Sequence, residues 1–195
     1  MAGRYTLEGK NGVIAKKLLR DVTHLLEAHH IIYWLGSGTL LGLVREKRLL
    51  PWDNDVDIFI QDGEHDKFFS IFHEFKRFGC LLKIKHHEKD TRIFQKGQAR
   101  IVKIRTRKFF FFRGEVLLDI FFVTKTDKKS YWGVGDKIMG VPSYLHEELI
   151  SFSFEGKAYH IPKKYDQYLT LRYGNWRTPL KKWNTYEDDL ALMKD

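Results

Sequence analysis

Two carboxylates one residue apart open an otherwise apolar run, Asp55-Val56-Asp57-Ile58-Phe59-Ile60. Successive side chains of a strand point to opposite faces. Asp55 and Asp57 therefore share one face while Val56, Ile58 and Ile60 enter the core on the other. Two carboxylates held side by side repel and call for a compensating cation. A hard divalent ion with oxygen ligands, Mg2+ or Mn2+, suits such a pair. The competing reading is a solvated strand end with two surface acids. A third acid, Asp119, interrupts Val116–Val123 (VLLDIFFV). A lone carboxylate in so apolar a stretch is costly to bury without a partner. If its strand lies beside that of the paired acids, Asp119 completes a three-carboxylate metal cluster; otherwise it pairs with a Lys or Arg.

Upstream stands a glycine-flanked hydroxyl, Gly36-Ser37-Gly38-Thr39, between an apolar run and a helical pattern. Glycines there let backbone N–H groups approach an anion closely, and a helix N-terminus favours negative charge. The plainer reading is a tight strand-to-helix turn capped by Ser37 or Thr39. Arg45, Lys47 and Arg48 follow the turn. Arg45, on the helix that starts there, is the best placed of the three to reach a phosphate; the alternative is a solvated basic helix end.

These residues need elements to position them. Residues 10–29 carry Val13, Ile14, Leu18, Leu19, Val22, Leu25 and Leu26 at helical spacing. Ile31–Leu35 reads as a buried strand ended by the glycines, and Thr39–Arg45 as a short helix. Lys47–Trp52, with Pro51, is a loop, and Asp55–Ile60 is a strand. Glu64–Phe78 reads as an amphipathic helix with Gly79 at its end. Leu81–Lys85, Arg100–Thr106 and Glu115–Val123 read as strands. Ser151–Phe154 and Ala158–Ile161 flank a hairpin turn. Lys163–Tyr173 reads as a helix after Pro162 and Glu187–Met193 as a short terminal helix. The order predicts an α+β domain: a mixed sheet covered by helices mainly on one face, with a small C-terminal helical and hairpin extension. No linker divides the chain, so residues 1–195 are expected to form one domain, with a core over about 10–125 and a C-terminal lobe over about 126–195.

The 34 Lys and Arg against 25 Asp and Glu leave a net charge of +9, which implies an acidic partner: nucleic acid, a membrane surface or a phosphorylated small molecule. A hydrophobic fraction of 43% and an aromatic fraction of 15% exclude a disordered chain. Cys80 alone excludes a disulfide scaffold and fits a reducing compartment. No apolar run approaches the roughly 20 residues of a spanning helix, and MAGRYTLEGK lacks the apolar core of a secretory leader. A cytoplasmic protein is expected. Lys103–Arg113 (KIRTRKFFFFR) reads as a buried strand with basic edges, or as a patch facing the membrane of a lipid-linked acceptor. His29-His30 and His86-His87 lack zinc-ligand spacing.

A glycine-serine turn, two acids one residue apart and a third acid on a later strand resemble the site of the nucleotidyltransferase fold. More closely, Leu35–Ile60 (LGSGTLLGLVREKRLLPWDNDVDIFI) resembles the LicD/fukutin family of phosphotransferases. That family's glycine turn, "PWDxDxD" segment and "LDIF" strand match Gly36–Thr39, Pro51–Asp57 and Leu118–Phe121. Its closing pattern resembles Ile161–Tyr165, Leu169 and Tyr173–Pro179, so the resemblance runs from about residue 12 to about residue 185.

The resemblance implies a phosphotransferase that moves a phospho-alcohol, phosphocholine above all, from a CDP-linked donor such as CDP-choline to a sugar hydroxyl of a glycan or lipid-linked glycan. It implies Mg2+ or Mn2+ held by Asp55, Asp57 and Asp119, the last also orienting or deprotonating the acceptor. It implies donor phosphate cradled by Gly36, Ser37, Gly38 and Thr39, in reach of Arg45. Trp52 and Asp53 support the segment, Asp53 as an outer ligand or a loop-ordering acid. Peripheral membrane association follows if the acceptor is lipid-linked. One alternative keeps the fold and transfers AMP from ATP to a small molecule, as antibiotic nucleotidyltransferases do. The other is a basic nucleic-acid-binding module; it leaves the acids unexplained, since carboxylates repel phosphate unless metal intervenes, and no nucleic acid is expected.

Overall fold

A computed structural model of the chain describes residues 5–75, 79–108, 112–180 and 183–193. The elements, in order, are α1 (Lys10–Ala28), β1 (Tyr33–Leu35), α2 (Ser37–Glu46), β2 (Asp55–Gln61), α3 (His65–Ser70), β3 (Cys80–His86), β4 (Ala99–Lys108), β5 (Phe112–Lys125), β6 (Lys129–Val134), β7 (Lys137–Pro142), β8 (Leu149–Phe154), β9 (Lys157–Pro162) and α4 (Tyr165–Tyr173). The main sheet runs β1-β2-β5-β4-β3, and the end of β5 continues into β6 and β7. Strands β2 and β5 are parallel, and every other pairing is antiparallel. The mixed sheet and α+β class expected from the sequence are present.

Register decides the two faces. Parallel pairing sets Asp55 opposite Leu117, Asp57 opposite Asp119 and Phe59 opposite Phe121. Strand β4 then sets Lys103 opposite Asp119 and Arg105 opposite Leu117. Side chains alternate, so Val56, Ile58, Ile60, Leu118, Ile120, Val102 and Ile104 share the other face, and most of them are fully buried. On that face α3 packs its rings against Phe122 through His65, Phe68 and Phe69. Helix α1 crosses β5 and β2 with Leu18, Leu19, Val22, Leu25 and Leu26 inward. The acidic face is covered differently. Phe59 stacks on Trp34 and Phe121 and meets Trp132 of β6 edge-on. Helices α1 and α3 therefore cover one face, while α4, the start of α2 and Trp132 of β6 lie toward the acidic one, so the expectation of helices mainly on one face is not met.

Three elements depart from the sequence reading. The helix expected over Glu64–Phe78 stops at Ser70 and continues as turns; its last residues, 76–78, lie outside the described residues. The terminal helix expected over Glu187–Met193 is a run of turns, pinned by the Met139–Leu192 bridge and by Gly140 N–H to Ala191 C=O (2.8 Å). Docking on β7 satisfies its backbone there without a helix. The β6–β7 hairpin was not anticipated: Gly133 and Gly140 interrupt the alternation that marks a strand. Strand β1 begins at Tyr33 rather than Ile31, and Ile32 is exposed. Hairpin β8–β9 and α4 stand where the sequence placed them.

Candidate active site

Asp57 and Asp119 meet because β2 and β5 run parallel and in register, about 4.8 Å apart as sheet neighbours are. Asp55 lies two residues before Asp57 on the same face. Asp57 and Asp119 are buried, with 8% and 3% of their surface exposed. The α2 turn is bound to the same spot. The Asp57 backbone N–H donates to Thr39 Oγ1 (2.8 Å), and the Gly36 N–H donates to the Asp57 carbonyl (3.3 Å). A Cβ on Gly36 would lie 2.3 Å from the Phe59 ring, and one on Gly38 would lie 2.0 Å from Asp53 Oδ2. The two glycines are therefore required by close approach, Gly38 to a carboxylate.

Electrostatics follow from this crowding. Burial pushes the Asp53 carboxyl up to about 6, against a hydrogen bond from the Asn54 backbone N–H. Burial, then the charges of Asp119 and Asp53, push Asp55 up to about 7, opposed by Lys103 and Asn54. Burial and the surrounding acids Asp55, Asp53 and Asp119 push Asp57 well above the usual carboxylate range, with Arg172 opposing. Burial raises Asp119 too, countered by Lys103 and Arg105. The four acids favour a proton or a cation over bare charge.

Asp119 has an acid on one side and a lysine on the other. It stands beside Asp57 as the cluster reading required, and its Oδ2 forms an ion pair with Lys103 of the next strand. Its Oδ1 is buried and without a hydrogen-bond partner. Among the described residues, no three His, Cys, Asp or Glu side chains already stand grouped to hold a metal ion. The acids share a face without forming a finished ligand set.

The glycine turn also differs in detail from the sequence reading. Gly36 caps α2 with extended backbone, and no side chain caps the helix. Thr39 serves Asp57 through its hydroxyl. Ser37 is held with φ 47° and accepts a hydrogen bond from Arg172 Nη1 (2.9 Å). Arg45 is committed elsewhere: it binds Glu46 Oε1 through Nε and Nη2, and the Trp176 carbonyl through Nη1 (3.1 Å). Arg48 binds the other Glu46 oxygen (2.8 Å), and Lys47 lies over the Phe152 ring. Trp52 is exposed. Asp53 orders its loop by accepting from the Asn54 N–H (2.9 Å), while its own carbonyl takes the Leu7 N–H (2.7 Å).

Sequence reasoning missed four residues here: Lys103, His146, Arg172 and Asp189. Arg172 and Asp189 form an ion pair with 3% and 0% of their side chains exposed. The signal for Arg172 was its place between Leu169 and Tyr173 on the inner side of a helix, four residues from Tyr168, whose hydroxyl it binds (2.8 Å).

The family described as LicD/FKTN/FKRP, nucleotidyltransferase domain, matches residues 30–164. The human ribitol-5-phosphate transferase FKTN is 30% identical over 176 residues, covering 87% of this chain and 34% of that protein. An uncharacterized protein of Rickettsia typhi, RT0683, is 33% identical over 125 residues, covering 58% of this chain and 40% of its own. The lipopolysaccharide cholinephosphotransferase LicD of Haemophilus influenzae is 40% identical over 53 residues, covering 27% of this chain and 20% of its own. This chain thus spans 20–40% of the length of these relatives.

Proposed function

Because the chain belongs to the LicD/FKTN/FKRP family, we propose that it is a metal-dependent transferase moving a phospho-alcohol from a CDP-linked donor to a sugar hydroxyl of a glycan. The observation that carries this reading is the gathering of Asp55, Asp57 and Asp119 on one sheet face, beside the first turn of α2. All-oxygen donors, mutually unfavourable charges and the orphaned Asp119 Oδ1 fit a hard divalent cation, Mg2+ or Mn2+. Asp55, Asp57 and Asp119 would hold it. When bound, it neutralises the donor's pyrophosphate and eases the departure of CMP.

The chain's own groups supply position and proton transfer. The first turn of α2 offers backbone N–H groups at a positive helix end, where an anion is favoured. Ser37 adds a hydroxyl beside them. Asp119, its carboxyl raised by burial, orients the acceptor hydroxyl and takes its proton. The acceptor oxygen bonds to the phosphorus bearing the alcohol as that phosphorus loses its bond to CMP. Positioning and charge dominate such a transfer, which needs little covalent help from the protein.

Phosphocholine is the first group to test and ribitol phosphate the second, the two named by the relatives' activities. A lipid-linked acceptor would bring this chain, with its net charge of +9, to an anionic membrane surface. The test is incubation with CDP-choline, CDP-ribitol and CDP-glycerol plus Mg2+, with and without candidate sugars, following CMP. Release of CMP from one donor, raised by an acceptor, is expected. Pyrophosphate from ATP, with no CMP from any CDP donor, would overturn the assignment in favour of nucleotidyl transfer.

A further inference from the structure

Arg172 is a buried cation on α4. Its Nε lies 3.1 and 3.3 Å from the two Asp189 oxygens, and its Nη2 also binds Asp189. Its Nη1 divides between Tyr168 Oη (2.8 Å) and Ser37 Oγ (2.9 Å). The guanidinium carbon lies 5.1–5.5 Å from the ring centres of Trp132, Tyr168 and Tyr173. Asp189 is fixed in turn: its Oδ1 accepts from the Ala191 N–H (3.0 Å), and the Leu190 N–H donates to the Arg172 carbonyl (3.1 Å). A rigid, preorganised fork therefore spans from the C-terminal turns to the start of α2.

At the far end of that fork sits Ser37, the first residue of α2, in a backbone conformation (φ 47°) that side-chain-bearing residues rarely adopt. A serine hydroxyl has one proton to give and two lone pairs to fill. Arg172 fills one lone pair and leaves the proton free to donate.

We infer that Arg172, clamped by Asp189, is a positioning residue that aims the Ser37 hydroxyl proton at the donor's phosphate. The role depends on the phosphate-binding use of the α2 turn given above, but on no particular donor. Residues 184–193 thereby belong to the donor site even though none of them approaches the acids by sequence. Arg172 acts through Ser37, so removing either should cost the same interaction.

The test measures binding of magnesium pyrophosphate by calorimetry to wild type, Ser37→Gly, Arg172→Lys, Asp189→Asn and the double variant Ser37→Gly/Arg172→Lys. Glycine accepts the positive φ of residue 37, so that variant removes the hydroxyl without backbone strain. Thermal melts confirm folding, and Asp189→Asn and Ser37→Gly carry the test if Arg172→Lys does not fold. Losing a hydrogen bond to a charged group should weaken binding roughly ten- to hundredfold in Ser37→Gly and in Arg172→Lys. The double variant should bind no more weakly than the weaker single. With an active donor, KM should rise by more than kcat falls. Wild-type affinity in Ser37→Gly, or losses that multiply in the double variant, would overturn the inference. A wild type that shows the expected binding pattern but releases no CMP would reject the CDP-alcohol reading and support the Arg172–Ser37 coupling.

Discussion

At the scale of single residues, the acids set the behaviour of the site. Burial and the charges of Asp119 and Asp53 push the Asp55 carboxyl up to about 7 from an ordinary value of 3.8. A raised folded-state carboxyl pKa means that the folded protein holds the proton longer than the unfolded one. Its contribution to stability is therefore present at low pH and is lost as pH rises from about 4 to about 7. We expect Mg2+ to raise the melting temperature more at pH 8 than at pH 5.5, with the difference reduced in Asp55→Asn; a cation effect independent of pH would contradict the assignment. His146 behaves oppositely. Burial, with Arg172 nearby, holds its imidazole down to about 3, and neither ring nitrogen has a hydrogen-bond partner. Its ring lies tilted against Trp34 and edge-on to Tyr168. His146→Phe should gain about 1 kcal/mol in denaturant unfolding at neutral pH, because an unpaired buried polar atom is removed. It should also flatten the His146 share of the stability loss as pH falls from about 6.5 to 3. The pairing of Asp55 with Asp57 was legible from a one-residue spacing. The tilt of Arg45 toward Glu46 and Trp176 was not, because tertiary neighbours decide where a flexible cation goes.

At the scale of elements, the contact that matters most joins α2 to β2. The Asp57 N–H has Thr39 Oγ1 as its acceptor. Thr39→Val keeps the shape and removes the acceptor, so it should cost about 1–3 kcal/mol of stability and lower turnover, while Thr39→Ser should retain most of both. Denaturant unfolding and turnover of the three proteins check this. The glycine turn and the acid strand were each visible as motifs, and their junction follows from the close approach that Gly36 and Gly38 allow. Helix α3 shows the limit of periodicity. Phe68, Phe69, Phe72 and Phe75 keep an inward pattern, yet the helix ends at Ser70 and turns carry the later rings inward. The β6–β7 hairpin was hidden for a related reason. Gly140 leaves room for Met193 and Tyr131, whose atoms a Cβ would approach to 3.0 Å, and a residue chosen for that approach breaks the strand signature.

At the scale of the whole molecule, the net charge of +9 matters less than its arrangement. Asp53, Asp55, Asp57 and Asp119 are concentrated at one place, with Lys103 and Arg105 on the neighbouring strand of the same face. That juxtaposition needed parallel pairing of strands some sixty residues apart, which the sequence could only pose as a condition. Arg172 carried a helical-spacing signal beside Tyr168, but its partner Asp189 did not, because alone it reads as an ordinary surface charge in the C-terminal turns. No helix among the described residues is long and apolar enough to cross a membrane. In the proposed reaction the acids of β2 and β5 carry the transfer. Its most direct measurement is CMP release from the active CDP-alcohol by wild type and by Asp57→Asn with Mg2+ present. Both proteins should give a cooperative thermal melt, and the variant should lose turnover by about a thousandfold, on the scale of removing one main electrostatic stabiliser. Near wild-type CMP release by folded Asp57→Asn would contradict it.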